Sequence, residues 1–259
     1  MHAKDSILFE GVSYRYSDQA PWILKDLNLV VSPGEFLMLL GPSGCGKTTA
    51  LNLAAGFDFP VEGAVLVDGN PVAAPGADRA VIFQGDDSIY PWLTTAQNVE
   101  MPLRVAGIAK SERAELVRKH LELVGLGEHG DKYPHQLSGG MRQRVQIARA
   151  LVMPKTKFLL MDEPFGALDA QTKSLLQDEL GAIWERTRKT VLFITHDIAE
   201  AIILGDRVAV MTYGPAAQVK EIIKIDLPRP RRRSDPQFGL LYERIWSFIA
   251  NPAARPVGH

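Results

Sequence analysis

Unbroken apolar runs of four or five residues recur along the chain. Residues 36–40 read FLMLL and stop at Gly41; residues 158–161 read FLLM and stop at Asp162-Glu163-Pro164. Residues 191–194 (VLFI) and 208–211 (VAVM) repeat the form. A short apolar run without polar alternation is a strand buried on both faces, as in a parallel sheet with helices outside it. Helical patterns fall between these runs. Residues 7–16 and 64–68 differ, reading as half-exposed strands, and Asp68-Gly69 is a turn signal. The pattern predicts an α/β fold: a parallel core sheet with a small antiparallel sheet in the N-terminal part.

Ala114, Val117, Leu121 and Val124 recur at spacings of three and four. They make one stripe of a helix over 111–124, with Ser111 as the expected N-cap and Gly125 as the stop. This helix belongs to a helical insertion over about 98–134. Near the C-terminus the composition shifts to a proline-rich basic stretch, PRPRRRSDP at 228–236, read as a solvated linker over 228–235. A last helix is expected over 236–250. Asp235 would cap it, Pro236 would take its first position, and Phe238, Leu241, Ile245 and Phe248 would form its apolar stripe. No repeat breaks the chain, and residues 1–259 read as one domain with a helical subdomain.

Composition narrows the classes of function. Apolar residues are 46% and charged residues 23% of 259, as in an ordinary soluble protein. The net charge of −1 argues against a nucleic-acid partner. Cys45 is the only cysteine, so no internal disulfide forms and a reducing cytosol is expected. The opening MHAKDS has no apolar signal core behind it. No stretch approaches the roughly 18–20 apolar residues that cross a bilayer. A role at a membrane would therefore need a separate partner.

Residues 41–48 are Gly41, Pro42, Ser43, Gly44, Cys45, Gly46, Lys47 and Thr48. They fit G-x-x-x-x-G-K-[ST] between a predicted strand and a helix that begins near Thr49. Glycines let the backbone wrap phosphate with its N–H groups inward, and the helix start adds positive potential. Lys47 would bring charge to the β- and γ-phosphates, and the Thr48 hydroxyl can ligate Mg²⁺. Cys45 reads as a small filler of this loop rather than a nucleophile.

Asp162 and Glu163 end the run FLLM, the place for a Mg²⁺ ligand and a general base; a plain surface acidic pair is the alternative. His196 follows TVLFIT and Gln84 follows AVIF, both at ligand-facing strand ends, and either is weak in isolation. Leu137-Ser138-Gly139-Gly140 opens another helix pattern, with Val145, Ala148 and Val152 on its apolar side. That is a second anion-binding helix start, about ninety residues beyond the first. A dimer with ATP between the loop of one subunit and this helix of the other accounts for both.

Taken together these residues resemble the ABC ATPase family over nearly the whole chain. The resemblance implies Gly41 to Thr48 as Walker A, Gln84 as Q-loop, Leu137 to Gly140 as signature and Phe158 to Asp162 as Walker B. It implies Glu163 as catalytic carboxylate, Asp169 as D-loop and His196 as H-loop. Tyr16 looks like the aromatic that stacks on adenine, although Tyr14 is nearby. Phe165 to Ala170, Pro91-Trp92-Leu93-Thr94, Ile225 to Pro230 and Tyr242 to Trp246 resemble the nitrate/sulfonate/taurine importers. Gly85 to Tyr90 is one residue longer than usual there.

The resemblance implies an ATP-hydrolysing motor subunit with ATP and Mg²⁺. Thr48, Asp162 and Gln84 would serve the metal; Ser138, Gly139, Gly140 and Asp169 would complete the site across a homodimer. Expected partners are integral-membrane permease subunits and, indirectly, a periplasmic solute-binding protein. The expected location is the cytoplasmic face of the cell membrane. A soluble ABC ATPase without a permease, an exporter and a P-loop kinase are the competing readings.

Overall fold

A computed structural model describes residues 4–85, 88–166 and 168–250. Met1 to Ala3 of the opening, Asp86 and Asp87 of the long stretch before Tyr90, and Ala167 lie outside the described residues. The chain opens with β1 (Ile7–Tyr14), β2 (Leu24–Val31), β3 (Phe36–Leu40), α1 (Lys47–Ala55), β4 (Glu62–Val67) and β5 (Asn70–Pro71). It continues with β6 (Arg79–Ile82), α2 (Thr95–Val105), α3 (Lys110–Leu123), α4 (Gly139–Leu151), β7 (Phe158–Asp162) and α5 (Ala170–Thr187). It ends with β8 (Thr190–Thr195), α6 (Ile198–Leu204), β9 (Arg207–Met211), β10 (Val219–Lys224) and α7 (Pro236–Ala250). These elements form two compact units, residues 1–76 with 188–259 and residues 77–187.

In the first unit β1 pairs antiparallel with β2 and β4, and β4 with β5. Leu24, Leu27, Leu29 and Val31 are buried while the residues between them are not, the alternation of a half-covered sheet. Asp68 and Gly69, at φ 54° and 77°, turn β4 into β5. The second sheet of this unit has β3 between β8 and β9 in parallel register, with β10 antiparallel to β9. Every residue of β3 and β8 is buried, as their unbroken apolar runs require. The start of β3 is fastened by Asp206, which accepts from the Phe36 amide at 2.9 Å. Arg207 and Glu35 add an ion pair at 2.5 Å.

The basic stretch is not a solvated linker throughout. Arg231 is only 8% exposed. It donates from Nε to Leu227 O at 2.9 Å and from one terminal nitrogen to Ile202 O at 2.7 Å and Gly205 O at 2.5 Å. Arg229 donates to Leu204 O and pairs with Asp206 at 2.6 Å. The unfilled carbonyls at the end of α6 draw both cations inward; Arg232 and Arg233 remain exposed. Beyond them Asp235 accepts from Gln237 N at 2.8 Å, and α7 buries Phe238 and Ile245. Tyr213 Oη and Lys220 Nζ donate to the last-turn carbonyls of Ile249 and Phe248, at 3.1 and 2.9 Å.

The second unit has β6 and β7 in parallel register with helices α2 to α5. Thr94 begins the helical run with a reciprocal capping box to Gln97, so it starts at Thr95. In α3 the N-cap is Ala109, not Ser111: the amides of Glu112 and Arg113 bond to Ala109 O at 3.1 and 3.0 Å. Ser111 thus lies inside the first turn. Of the predicted stripe, Val117, Leu121 and Val124 are buried, whereas Ala114 is exposed because the packed face is narrower.

Candidate active site

In the first unit the phosphate loop leaves the sheet at Leu40, which pairs with Thr195 on β8 and Val210 on β9. His196 is the residue after Thr195, so the loop and the histidine leave the same sheet edge on neighbouring strands. The corner around His196 is rigid. Thr195 Oγ1 accepts from Asp197 N at 3.0 Å, and Asp197 Oδ1 caps α6 through the amides of Ala199 and Glu200. His196 itself is exposed.

Gly46 is the N-cap of α1, at φ 91° and without a side-chain cap. A Cβ there would lie 2.8 Å from Leu24 and 2.9 Å from Ile23, so only glycine fits in conformation and in space. The helix therefore opens without a side-chain cap from its N-cap residue, directly behind the loop. Lys47 is 6% exposed, and its Nζ donates to Gly41 O at 2.8 Å and Pro42 O at 3.0 Å. Its ammonium is thus held over the loop. Thr48 beside it is exposed and Thr49 is buried. Burial pushes the Cys45 thiol up, partly opposed by Lys47, which keeps it protonated and suits a filler.

Tyr14 and Tyr16 separate cleanly. Tyr14 is 7% exposed and Tyr16 is 72% exposed. Their rings meet edge to face, with centroids 5.4 Å apart at 85°. Burial raises the Tyr14 hydroxyl, and a hydrogen bond to Asp58 adds to this. Tyr16 is the one with a free face to stack on.

In the second unit Gln84 and Asp162-Glu163 lie at one strand edge, since Ile82 pairs with Met161 across β6 and β7. A Cβ on Gly166 would lie 3.3 Å from Gln84 Nε2 and 3.9 Å from Glu163 Oε2, so amide and carboxylate converge there. Glu163 has φ 43°, a conformation of of order 1–3 kcal/mol for a non-glycine residue and one that collects at working sites. Gly166 N donates to Glu163 O at 3.0 Å and holds that turn.

Ser138 caps α4, its Oγ accepting from Met141 N at 3.3 Å, with Gly139 and Gly140 in the first turn. Asp169 Oδ1 caps α5 through the amides of Gln171 and Thr172, at 3.1 and 3.0 Å. The two helix starts touch: a Cβ on Gly139 would be 3.5 Å from Leu168, and one on Gly140 would be 2.9 Å from Thr172. The hydroxyl of Thr172 holds the Asp169 carboxyl below its ordinary range.

The pattern along the chain did not mark Gln146 and Arg149. Gln146 Nε2 donates to Gly85 O at 2.7 Å; Arg149 donates to Ser88 O at 2.6 Å and stacks on Tyr90 at 5.6 Å. They hold the chain on either side of 86–87. Their signal was two polar residues, three apart, on the buried side of α4. Beside them lies a groove of about 460 Å³ lined by Ile82, Tyr90, Met101, Val105 and Met153 among others. Trp92, next to it in sequence, is 70% exposed.

Each unit carries groups whose chemistry suits a phosphoanhydride. One has a phosphate cradle, a lysine, an exposed aromatic ring and a histidine. The other has two carboxylates, an amide and a second helix start, capped by Ser138. Each unit holds hard oxygen donors of the kind Mg²⁺ takes, the Thr48 hydroxyl in the first and the Asp162 carboxylate and Gln84 amide in the second, and such a metal takes few protein ligands beside phosphates.

The ABC transporter family matches residues 24–166, more than half of the chain. The nitrate import ATP-binding protein NrtD of Synechococcus elongatus is 48% identical over 238 residues, covering 89% of this chain and 86% of that protein. The bicarbonate transport ATP-binding protein CmpC of the same organism is 48% identical over 214 residues, covering 82% of this chain and 32% of that protein. A solved dimeric post-hydrolysis state of the ATP-binding cassette MJ0796, bound to ADP and Pi, matches with a TM-score of 0.71 and 31% identity. It covers 86% of this chain and 100% of that one.

Proposed function

This chain belongs to the ABC transporter family and is an ATP hydrolase of that type, and from that premise we propose that it is the motor subunit of a multi-subunit importer. Two copies close head to tail around two nucleotides. Tyr16 stacks on the base, and Lys47 with the amides of residues 41–49 holds the phosphates. Ser138, Gly139 and Gly140 of the second copy reach the γ-phosphate, and Asp169 lies at the joint. Thr48, Asp162 and Gln84 would hold Mg²⁺, which supplies charge neutralisation at the phosphates when bound.

Glu163 is the general base. Its carboxylate accepts a proton from the attacking water as that oxygen bonds to the γ-phosphorus, and the bond to the ADP oxygen breaks. His196 orients the γ-phosphate or that water. The support for Glu163 is its fixed turn at φ 43° and its convergence with Gln84 around Gly166.

The observation that carries the permease half is the groove beside Tyr90 together with the exposed Trp92. A buried subdomain core would hide that indole. An apolar groove rimmed by an exposed aromatic suits a cytoplasmic helix of a membrane subunit. Among the described residues no helix is long and apolar enough to cross a membrane, so a separate chain would supply the path. Such a subunit sits on the cytoplasmic face, below permeases fed by a periplasmic binding protein. The likeness to proteins named for nitrate import and bicarbonate transport favours a small solute of the nitrate, bicarbonate, sulfonate or taurine kind.

The test is to purify tagged Glu163→Gln protein from native membranes with ATP present. A multi-span permease should co-purify, and Trp92→Ala should lose it while keeping ATP binding. Recovery of the dimer only from the soluble fraction would overturn the importer reading.

A further inference from the structure

The nine residues between β1 and β2 carry the exposed Tyr16, and a cluster in this stretch has no part in the site described above. Trp22 has Arg15 Cζ 4.7 Å and Lys25 Nζ 4.3 Å from its ring centre. Arg15 also donates to Asp18 O at 2.6 Å and to Asp18 Oδ1 at 3.2 Å, so one guanidinium ties the loop's tip to its base. Lys25 donates to Glu62 Oε2 at 2.6 Å, which anchors the cluster to β4. The backbone on either side is fixed as well. Ile23 N donates to Tyr14 O at 2.9 Å, and Ala216 N donates to Trp22 O at 2.7 Å.

The same stretch meets the phosphate loop. Ile23 and Leu24, immediately after Trp22, are the side chains that leave no room for a Cβ on Gly46. Just beyond the other end of α1, Asp58 bonds the Tyr14 hydroxyl, and the Tyr14 ring packs at right angles to that of Tyr16. The exposed ring is thus spaced from the phosphate cradle through residues 14 to 24. A nucleotide binds strongly only if base and phosphates meet their partners at once, so that spacing sets an effective concentration for the second contact.

We propose that Trp22, clasped by Arg15 and Lys25, is a positioning residue for the nucleobase: it holds the loop so that Tyr16 stands at the nucleotide's span from the phosphate cradle. The inference rests on Tyr16 as the base-stacking residue. Stacking on an aromatic tolerates every base, so the cluster serves nucleotide affinity and not the choice between ATP and GTP.

The test is titration calorimetry on the full chain with Mg²⁺, using ATP and inorganic tripolyphosphate as probes. Trp22→Ala should weaken ATP by about tenfold, the scale of a lost stacking contact, and leave tripolyphosphate within about twofold. Trp22→Phe, which keeps a ring under the cations, should restore most of the ATP affinity. Tyr16→Ala should weaken ATP at least as much as Trp22→Ala. If Tyr16→Ala weakens ATP and Trp22→Ala does not, the positioning role is wrong and the stacking reading stands. If Tyr16→Ala binds ATP like the parent, both fall. Equal losses for ATP and tripolyphosphate in Trp22→Ala would mark a general structural role and overturn the inference. Should Trp22→Ala fail to fold, Arg15→Gln decides: unchanged ATP affinity refutes the cluster, and a loss of about threefold confined to ATP supports it.

Discussion

Arg231 offers a sharp test of how the C-terminal segment is held. Its guanidinium donates to Leu227 O, Ile202 O and Gly205 O within 3.0 Å, and reaches Ile203 O at 3.3 Å and Ile225 O at 3.4 Å. Burial, with the like charge of Arg229 behind it and Asp206 partly opposing both, pushes this group down to about 10, a net cost to the cation of about 3 kcal/mol. Leaving the three nearest carbonyls dry costs about 1–3 kcal/mol each, so 3–9 kcal/mol is lost when the donor goes. Removing the cation also removes its desolvation. The difference centres on about 3 kcal/mol, or a fall in Tm of about 6–12 °C for a chain of this size. Arg231→Met is the decisive variant, because it fills most of the volume and donates nothing. Arg231→Lys keeps the charge on a single head and should recover about half. Thermal unfolding by circular dichroism and calorimetry reads all three. An Arg231→Met protein as stable as the parent would refute the carbonyl account.

Three further predictions concern the site. Glu163→Gln should lower ATP turnover by about 10²–10⁴ while ATP still binds and the dimer accumulates; near-parental hydrolysis in a phosphate-release assay would remove Glu163 from its role. Gly140→Ala should push against the Thr172 methyl 2.9 Å away, costing about 1–3 kcal/mol. Thr172→Ser in the same chain should recover much of that in a denaturant titration, and failure to do so would discard the steric explanation. Asp169 titrates below its ordinary range, so its contribution to α5 is complete above about pH 4 and is lost as the pH falls below that. Asp169→Asn should accordingly flatten the acid side of the stability profile, and an unchanged acid limb would contradict the cap.

The apolar runs fixed most of the core in advance, because strands buried on both faces tolerate no polar interruption: 36–40 and 190–195 read directly as β3 and β8. The phosphate loop was as plain, since glycine and lysine at those spacings have few other uses. What escaped notice depends on partners distant in sequence. Arg229 and Arg231 look like solvated charge until the end of α6, about 25 residues earlier, presents its unfilled carbonyls. Trp22 carries no mark in the sequence, because its role depends on Arg15 and Lys25 folding over it. Ser111 has the right chemistry for a cap, yet the helix is already entered at Ala109, two residues earlier, and Ser111 falls inside the first turn. The left-handed turn at Glu163 has no signature, because the type favouring that conformation is glycine.

The pairing of β3 carries a consequence for the making of the chain. Phe36 finds its partner in Val191 and Leu37 in Arg207. At a synthesis rate of about 5–20 residues per second, the central strand and the loop behind it wait about 8–30 seconds for the strands that flank them. Residues 77–187 form one contiguous unit and need no such wait. The ribosome therefore releases an apolar five-residue segment well before its sheet exists, and the cell must keep that segment apart from its copies on neighbouring nascent chains. Truncations ending before residue 190 should accordingly be captured by holdase chaperones, and extension past β9 should release them.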